Sequence, residues 1–238
     1  MILQPLTRGI YSARPALSPQ DMAASLALRQ TCFRPGQPTS DHDRFDADCQ
    51  HVLISVGPTV VAGFRTQTFR AASLADGYTA QFYDLTPLQG VMGPMIELGR
   101  FCLHPGHRDP DILRLAWAAL TRLVDQSGAT LLFGCSSFPG ADAHKHRTAL
   151  GYLAYHHLGP DPVRPGKRAP DSLDMRALPC LPLLPALPPL LKTYLAMGGW
   201  VADHAVLDRD LDTTHVFTAL DVARVPPARA RALRAQSG

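Results

Sequence analysis

No stretch of the 238 residues approaches the roughly 20 consecutive apolar residues that a membrane-spanning helix needs, so none is predicted. Met1 to Pro19 lacks a basic start followed by an apolar core and a small-residue cleavage site, so the chain is expected to stay in the cytosol. Five cysteines (Cys32, Cys49, Cys102, Cys135 and Cys180) are an odd set without CxxC spacing, which argues against a disulfide framework and a zinc site. Strong charge of either sign is missing too. Lys and Arg number 23 against 20 Asp and Glu, a net charge of +3, so composition does not suggest a nucleic-acid partner. HExxH and EF-hand spacings are absent around His204, Asp208, Asp210, Asp212 and His215, so these residues are read as a hairpin turn and no metal is expected.

The residues present alternate between helical and strand patterns. SPQDMAASLALRQTCF starts a helix at Ser18, with Asp21 completing the cap and Met22, Leu26 and Phe33 supplying the apolar spacing. VLIS and VVAGFRTQTF around Gly57-Pro58 read as a hairpin of buried strands in which Gly63 marks a bulge or a close approach. MIELGRFCL reads as a central strand. The next helix is opened by Asp109 and Asp111 and closed by Gly128. TLLFGCSS is a buried strand, ADAHKHRTALGYL begins a helix, and the Pro-rich stretch from Leu158 to Pro189 is a covering loop. LLKTYLAMGGW is helical to Gly198, and VADHAVL with HVFTAL makes a terminal hairpin. The sum is an α/β (α+β) fold, a mixed sheet flanked by helices, in one domain over residues 1–222 with a frayed basic tail at 223–238.

Several charged residues sit where a buried chain would not place them without a reason. Arg65 interrupts an apolar strand and must face solvent or find a carboxylate. Glu97 and Arg100 lie near the end of the central strand, where alternation puts Glu97 with Gly99 on one face and Leu98 with Arg100 on the other. Arg29 on the first helix, and Asp43, Asp46 and Asp48 in the polar loop, are potential partners. Either these residues form separate surface or structural pairs, or Arg29 and Arg65 meet the loop carboxylates and Glu97 as a charged floor beside a cleft. Cys135 and Ser136 follow an apolar strand but carry no nucleophile signature such as GxSxG, which favours a structural role.

Leu28-Arg29 with Phe33, Asp43-Arg-Phe-Asp46, Gly63-Phe-Arg65, Glu97-Leu-Gly-Arg100, Phe133 to Phe138 and Thr193 to Trp200, in that order, resemble the ornithine–acyl carrier protein N-acyltransferase family. The likeness extends from the first helix to Thr218 and is shared more distantly with acyl-homoserine-lactone synthases. The resemblance implies a GNAT-like, mostly antiparallel sheet. It also implies a 3-hydroxyacyl chain on acyl carrier protein as donor and the α-amine of ornithine, or of a related amino acid such as glutamine, as acceptor. No cofactor is implied, because phosphopantetheine arrives on the carrier. The segment Leu103 to Asp111 has a single glycine where coenzyme-A-using GNATs carry a glycine-rich pyrophosphate loop. Glu97 would then take the amine proton, with Arg100 beside it and Arg29, Phe33, Asp43, Asp46, Arg65, Cys135 and Ser136 in the surrounding network. Arg108, Arg114, Arg122, Lys145, His146 and Arg147 are candidates for docking an acidic carrier. Peripheral contact with the inner membrane is an open expectation for the Pro-rich stretch. The competing readings are an autoinducer synthase with S-adenosylmethionine as acceptor, and a non-catalytic acyl-carrier or lipid-binding module.

Overall fold

The computed structural model describes residues 3–237; Met1, Ile2 and Gly238, which belong to the expected N-terminal and tail segments, lie outside it. In chain order the first half contains β1 (Leu6–Arg8), β2 (Tyr11–Pro15), α1 (Pro19–Phe33), β3 (Gln50–Val56), β4 (Thr59–Phe69), β5 (Tyr83–Asp84), β6 (Met95–Leu103) and α2 (Pro110–Ser127). The second half contains β7 (Leu131–Pro139), α3 (Arg147–His156), β8 (Gly166–Lys167), β9 (Ser172–Asp174), α4 (Pro189–Ala196), β10 (Trp200–Asp208), β11 (Thr213–Asp221) and α5 (Pro227–Ser237). The class is the expected one, a mostly antiparallel sheet flanked by helices. The chain falls into two compact units. One comprises the residues up to Thr68, Leu98–Ala129 and the segment from Pro227; the other comprises Phe69–Glu97 and Thr130–Pro226.

In the first unit β1 pairs with β2, β2 with β3 and β3 with β4, all antiparallel. The register of β3 and β4 slips between Ile54 and Ser55, so the bulge falls at Val61. Gly63 is instead a close approach, since a Cβ there would lie 3.1 Å from the Val52 carbonyl oxygen. Helix α1 starts on the expected capping box: the Ser18 hydroxyl accepts from the Asp21 amide at 3.1 Å, and the Asp21 carboxylate accepts from the Ser18 amide at 3.1 Å. Its buried face is not the expected Met22, Leu26 and Phe33 but Ser25, Leu28 and Arg29, because Arg29 is buried in ion pairs and pulls its own stripe inward. Helix α2 is capped by Asp109, has Pro110 in its first turn and stops at Gly128 with φ 63°. The expected frayed tail is instead helix α5, whose Arg234 holds Asp125 of α2 with two contacts of 2.9 Å.

In the second unit β11 lies between β7 and β10, and β9 edges β10. One face of this sheet packs Phe138, Val201, Ala205 and Val216 against Leu150 and Leu153 of α3 and Leu191 of α4. The other face packs Phe133, Phe217 and Trp200 against Phe69 at the end of β4, Tyr83 of β5, and Leu74 and Leu88 from short helical turns before β6. This second core sets the surroundings of Glu97.

Candidate active site

In the first unit the polar loop after α1 folds back so that its aspartates meet arginines from three elements. Arg29 of α1 donates from Nε to Asp41 at 2.8 Å and from Nη1 to Asp46 at 2.6 Å. Arg65 of β4 reaches Asp46 at 2.5 Å and grips both oxygens of Asp43, at 2.6 and 2.8 Å. Arg100 of β6 donates to Asp41 at 2.9 Å and to Asp43 at 3.1 Å, with its guanidinium 5.7 Å from the centre of the Phe33 ring. Arg34 adds a longer contact to Asp41, at 3.3 Å. Arg29, Asp46 and Arg65 are almost fully buried, while Asp43 keeps 21% of its side chain in solvent. Burial alone would raise the Asp43 and Asp46 carboxyls, but their arginine partners outweigh it and hold both below the ordinary aspartate value. For Arg65, burial opposes the charge and Asp43 more than restores it.

Strict alternation fails at the end of β6. Arg100 has φ 49°, a left-handed conformation costly for any residue with a Cβ. As a result Gly99 faces the Arg65 side chain while Arg100 turns to Asp41 and Asp43, so consecutive residues serve one cluster. The aspartate that accepts from three arginines, Asp41, was missed by sequence reasoning, as were Arg34 and His51. Asp41 stands two positions before the DRFD segment, outside that pattern. Asp48 is exposed.

In the second unit Glu97 is 5% exposed and its carboxylate is held by backbone. The Thr79 amide donates to Oε1 at 2.6 Å and the Tyr78 amide to Oε2 at 3.0 Å, as the chain enters a short helical turn at Thr79–Gln81. Hydrogen bonds from neutral amides to a carboxylate are of the strong, charge-assisted kind. Thr79 Oγ1 in turn lies 3.7 Å from Cys135 Sγ on β7, so the turn links two residues expected to share a site. Ser136 does not join them. The two-residue period of a strand turns it to the opposite face of β7, where it is buried opposite Val216. Tyr78 and Thr79 could not be found from sequence, because they act through amides that every residue possesses.

On the same face as Cys135, Tyr83 lies between two histidines. Its hydroxyl is 3.2 Å from His215 Nδ1, and the His204 ring centre is 5.0 Å from its own. Burial pushes the His204 imidazole below its usual pKa; burial, with His204 adding to it, brings His215 down to about 3. Both histidines are therefore neutral near pH 7. Among the described residues, no group of three or more side chains could hold a metal ion.

The segment between β6 and α2 carries internal hydrogen bonds. The Gly106 amide donates to His104 Nδ1 at 3.1 Å, and the Asp109 carboxylate accepts from the Asp111 amide at 2.9 Å. Asp111 is itself paired with Arg8 at 2.8 Å and Arg114 at 2.7 Å. Two carboxylates at a helix N-terminus occupy the place where a phosphate group would be attracted. Of the expected docking residues, Arg108 and Arg114 are exposed on the first unit and Arg122 is half-buried there. Lys145 and Arg147 are exposed on the second unit, with His146 half-buried.

Comparison with known proteins agrees with this architecture. The family described as "Acetyltransferase (GNAT) domain" matches residues 29–118, a span that runs from Arg29 through Glu97 and Arg100 into α2. The loading GNATL domain of CurA from Lyngbya majuscula is similar in fold, with a TM-score of 0.52 at 12% identity over 90% of this chain and 99% of that one. The fold is that of a GNAT-type acyltransferase. The L-ornithine N(alpha)-acyltransferase of Rhodobacter capsulatus is 34% identical over 232 residues, 89% of this chain and 90% of that protein. That of Brucella abortus is 32% identical over 211 residues, 78% and 71% of the two chains. The chain belongs to the L-ornithine N(alpha)-acyltransferase family.

Proposed function

We propose that this protein transfers a 3-hydroxyacyl group from acyl carrier protein to the α-amine of ornithine by direct attack on the thioester, with Glu97 as proton acceptor. An α-ammonium is mostly protonated at neutral pH, so the amine becomes nucleophilic only when a base takes its proton. The amine nitrogen then forms a C–N bond to the thioester carbon, the C–S bond breaks, and the remaining ammonium proton passes from nitrogen to the departing sulfur, so the carrier's phosphopantetheine leaves as a thiol. No acyl-enzyme is needed, and no cofactor beyond the arm carried by the donor. The observation that carries the chemistry is the buried Glu97 carboxylate fixed by the Tyr78 and Thr79 amides. The acceptor is supported by the identity to the two ornithine acyltransferases. A carrier-borne donor is supported by the α2 N-terminus, where the Asp109 carboxylate already accepts from the Asp111 amide and the Asp111 carboxylate is paired with Arg8 and Arg114. A phosphopantetheine has one phosphate and asks less of that position than the pyrophosphate of coenzyme A.

Within the first unit, Arg29, Arg65 and Arg100 with Asp41, Asp43 and Asp46 form a charged network of their own. Leu181, Leu183 and Leu184, exposed on the Pro-rich stretch, support peripheral contact with the cytoplasmic side of the membrane where a lipid product would leave. Flotation with liposomes tests that contact, and recovery of all the protein in the unbound fraction would remove it. No helix among the described residues is long and apolar enough to cross a membrane. The function itself is tested by incubating the protein with 3-hydroxyacyl carrier protein and a panel of amino acids and reading product masses. The N-acylornithine mass is expected. Product only with another amino acid would reassign the acceptor, and carrier binding without any product would make the chain a binding module.

A further inference from the structure

We infer that the Gly77-Tyr78-Thr79 turn is the device that positions the Glu97 carboxylate, and that Gly77 is a positioning residue whose missing side chain sets where that carboxylate sits. The inference rests on the proposed proton-accepting role of Glu97. A glutamate carboxylate rotates broadly about its last torsion unless both oxygens are held. Here each oxygen has its own amide: Thr79 on Oε1 at 2.6 Å, Tyr78 on Oε2 at 3.0 Å. The next residue back closes the third side. A Cβ at Gly77 would stand 3.1 Å from Glu97 Oε2, 3.2 Å from Phe69 Cζ and 3.4 Å from the Leu74 carbonyl oxygen. The backbone there does not demand glycine, since φ −76° and ψ 159° suit any residue. What demands it is space beside the carboxylate. The turn is fixed in place at both ends, by the Gly77 amide donating to the Leu74 carbonyl at 3.3 Å and by Thr79 Oγ1 against Cys135 Sγ. An alanine methyl cannot enter without moving the carboxylate or the two amides by a few tenths of an ångström, and acid–base catalysis is sensitive on that scale.

The test is a double-mutant cycle of Gly77→Ala and Glu97→Gln, assayed with 3-hydroxyacyl carrier protein and ornithine across pH. Gly77→Ala is expected to lower kcat about tenfold, leave both KM values within about twofold, and shift the acid limb of the pH profile. In the Glu97→Gln background the same change is expected to add no further loss, because Gly77 acts through Glu97. An unchanged kcat and pH profile in Gly77→Ala, with Glu97→Gln still impaired, would overturn the positioning role and leave the base standing. An equal additional loss in the double variant would assign Gly77 to general packing and overturn the inference as well. Full turnover in Glu97→Gln would remove the base reading and the inference with it. Should Gly77→Ala fail to fold, amide hydrogen exchange in the wild type and Glu97→Gln decides. Faster exchange at Tyr78 and Thr79 in the variant is expected, since a glutamine offers one oxygen to two donors, and equal exchange would overturn the link.

Discussion

At the scale of single residues, charge burial is the dominant risk and Asp41 carries most of it. Its side chain is fully buried and accepts from Arg29, Arg34 and Arg100. Removing one member of a buried ionic network leaves the others uncompensated, so Asp41→Ala should cost about 3–5 kcal/mol of stability. Asp48→Ala, exposed in the same loop, should fall within about 0.5 kcal/mol of the wild type. Chemical denaturation of the two variants checks the contrast. The acid response follows from the same groups and from the buried histidines. His51, His204 and His215 have imidazoles pushed down by burial, His215 to about 3. Between the ordinary histidine value of about 6.5 and those lowered values, the unfolded chain binds protons that the folded one does not. Stability therefore falls as pH drops through that range. Below about 3.9, the usual aspartate value, the depressed Asp43 and Asp46 carboxyls add a second decline. A melting-temperature series from pH 8 to pH 3 should show His215→Leu flattening the upper part of the fall; an unchanged curve would remove His215 from the account.

At the scale of elements, helix ends were the most legible features and buried polar stripes the least. Ser18 with Asp21, and Asp109 with Gly128, announced α1 and α2 through side chains and backbone needs that have few other uses. Gly128 is the cleaner test: at φ 63° an added Cβ is strained, and Gly128→Ala should destabilise the protein by about 1 kcal/mol, measured by denaturation. The buried face of α1 was misread because hydrophobic spacing cannot register Ser25 and Arg29 as interior residues. The β1 and β2 hairpin escaped notice because its first strand has three residues, and α5 because RARALRAQ lacks an apolar stripe. For the site, the loop aspartates, Arg65 and Arg100 were legible as charges needing partners, and family resemblance supplied their order. The amide cradle of Glu97 was not, since it is made of backbone. Nor was the left-handed Arg100, which breaks the alternation that sequence reasoning relied on.

At the scale of the whole molecule, the proposed acidic carrier protein would meet a chain whose net charge is only +3, so docking would depend on local patches. Reversing Arg108 and Arg114 to Glu should raise the KM for acyl carrier protein, more at low salt than at high, with the KM for ornithine unchanged. A steady KM would place docking elsewhere. In the proposed chemistry, a carboxylate held out of bulk water by two amides takes the proton of the attacking amine. The most direct measurement is the turnover of Glu97→Gln with 3-hydroxyacyl carrier protein and ornithine at neutral pH, beside its melting curve. A fall in kcat of about a hundredfold or more with folding intact is expected. Turnover equal to that of the unmodified protein would contradict it.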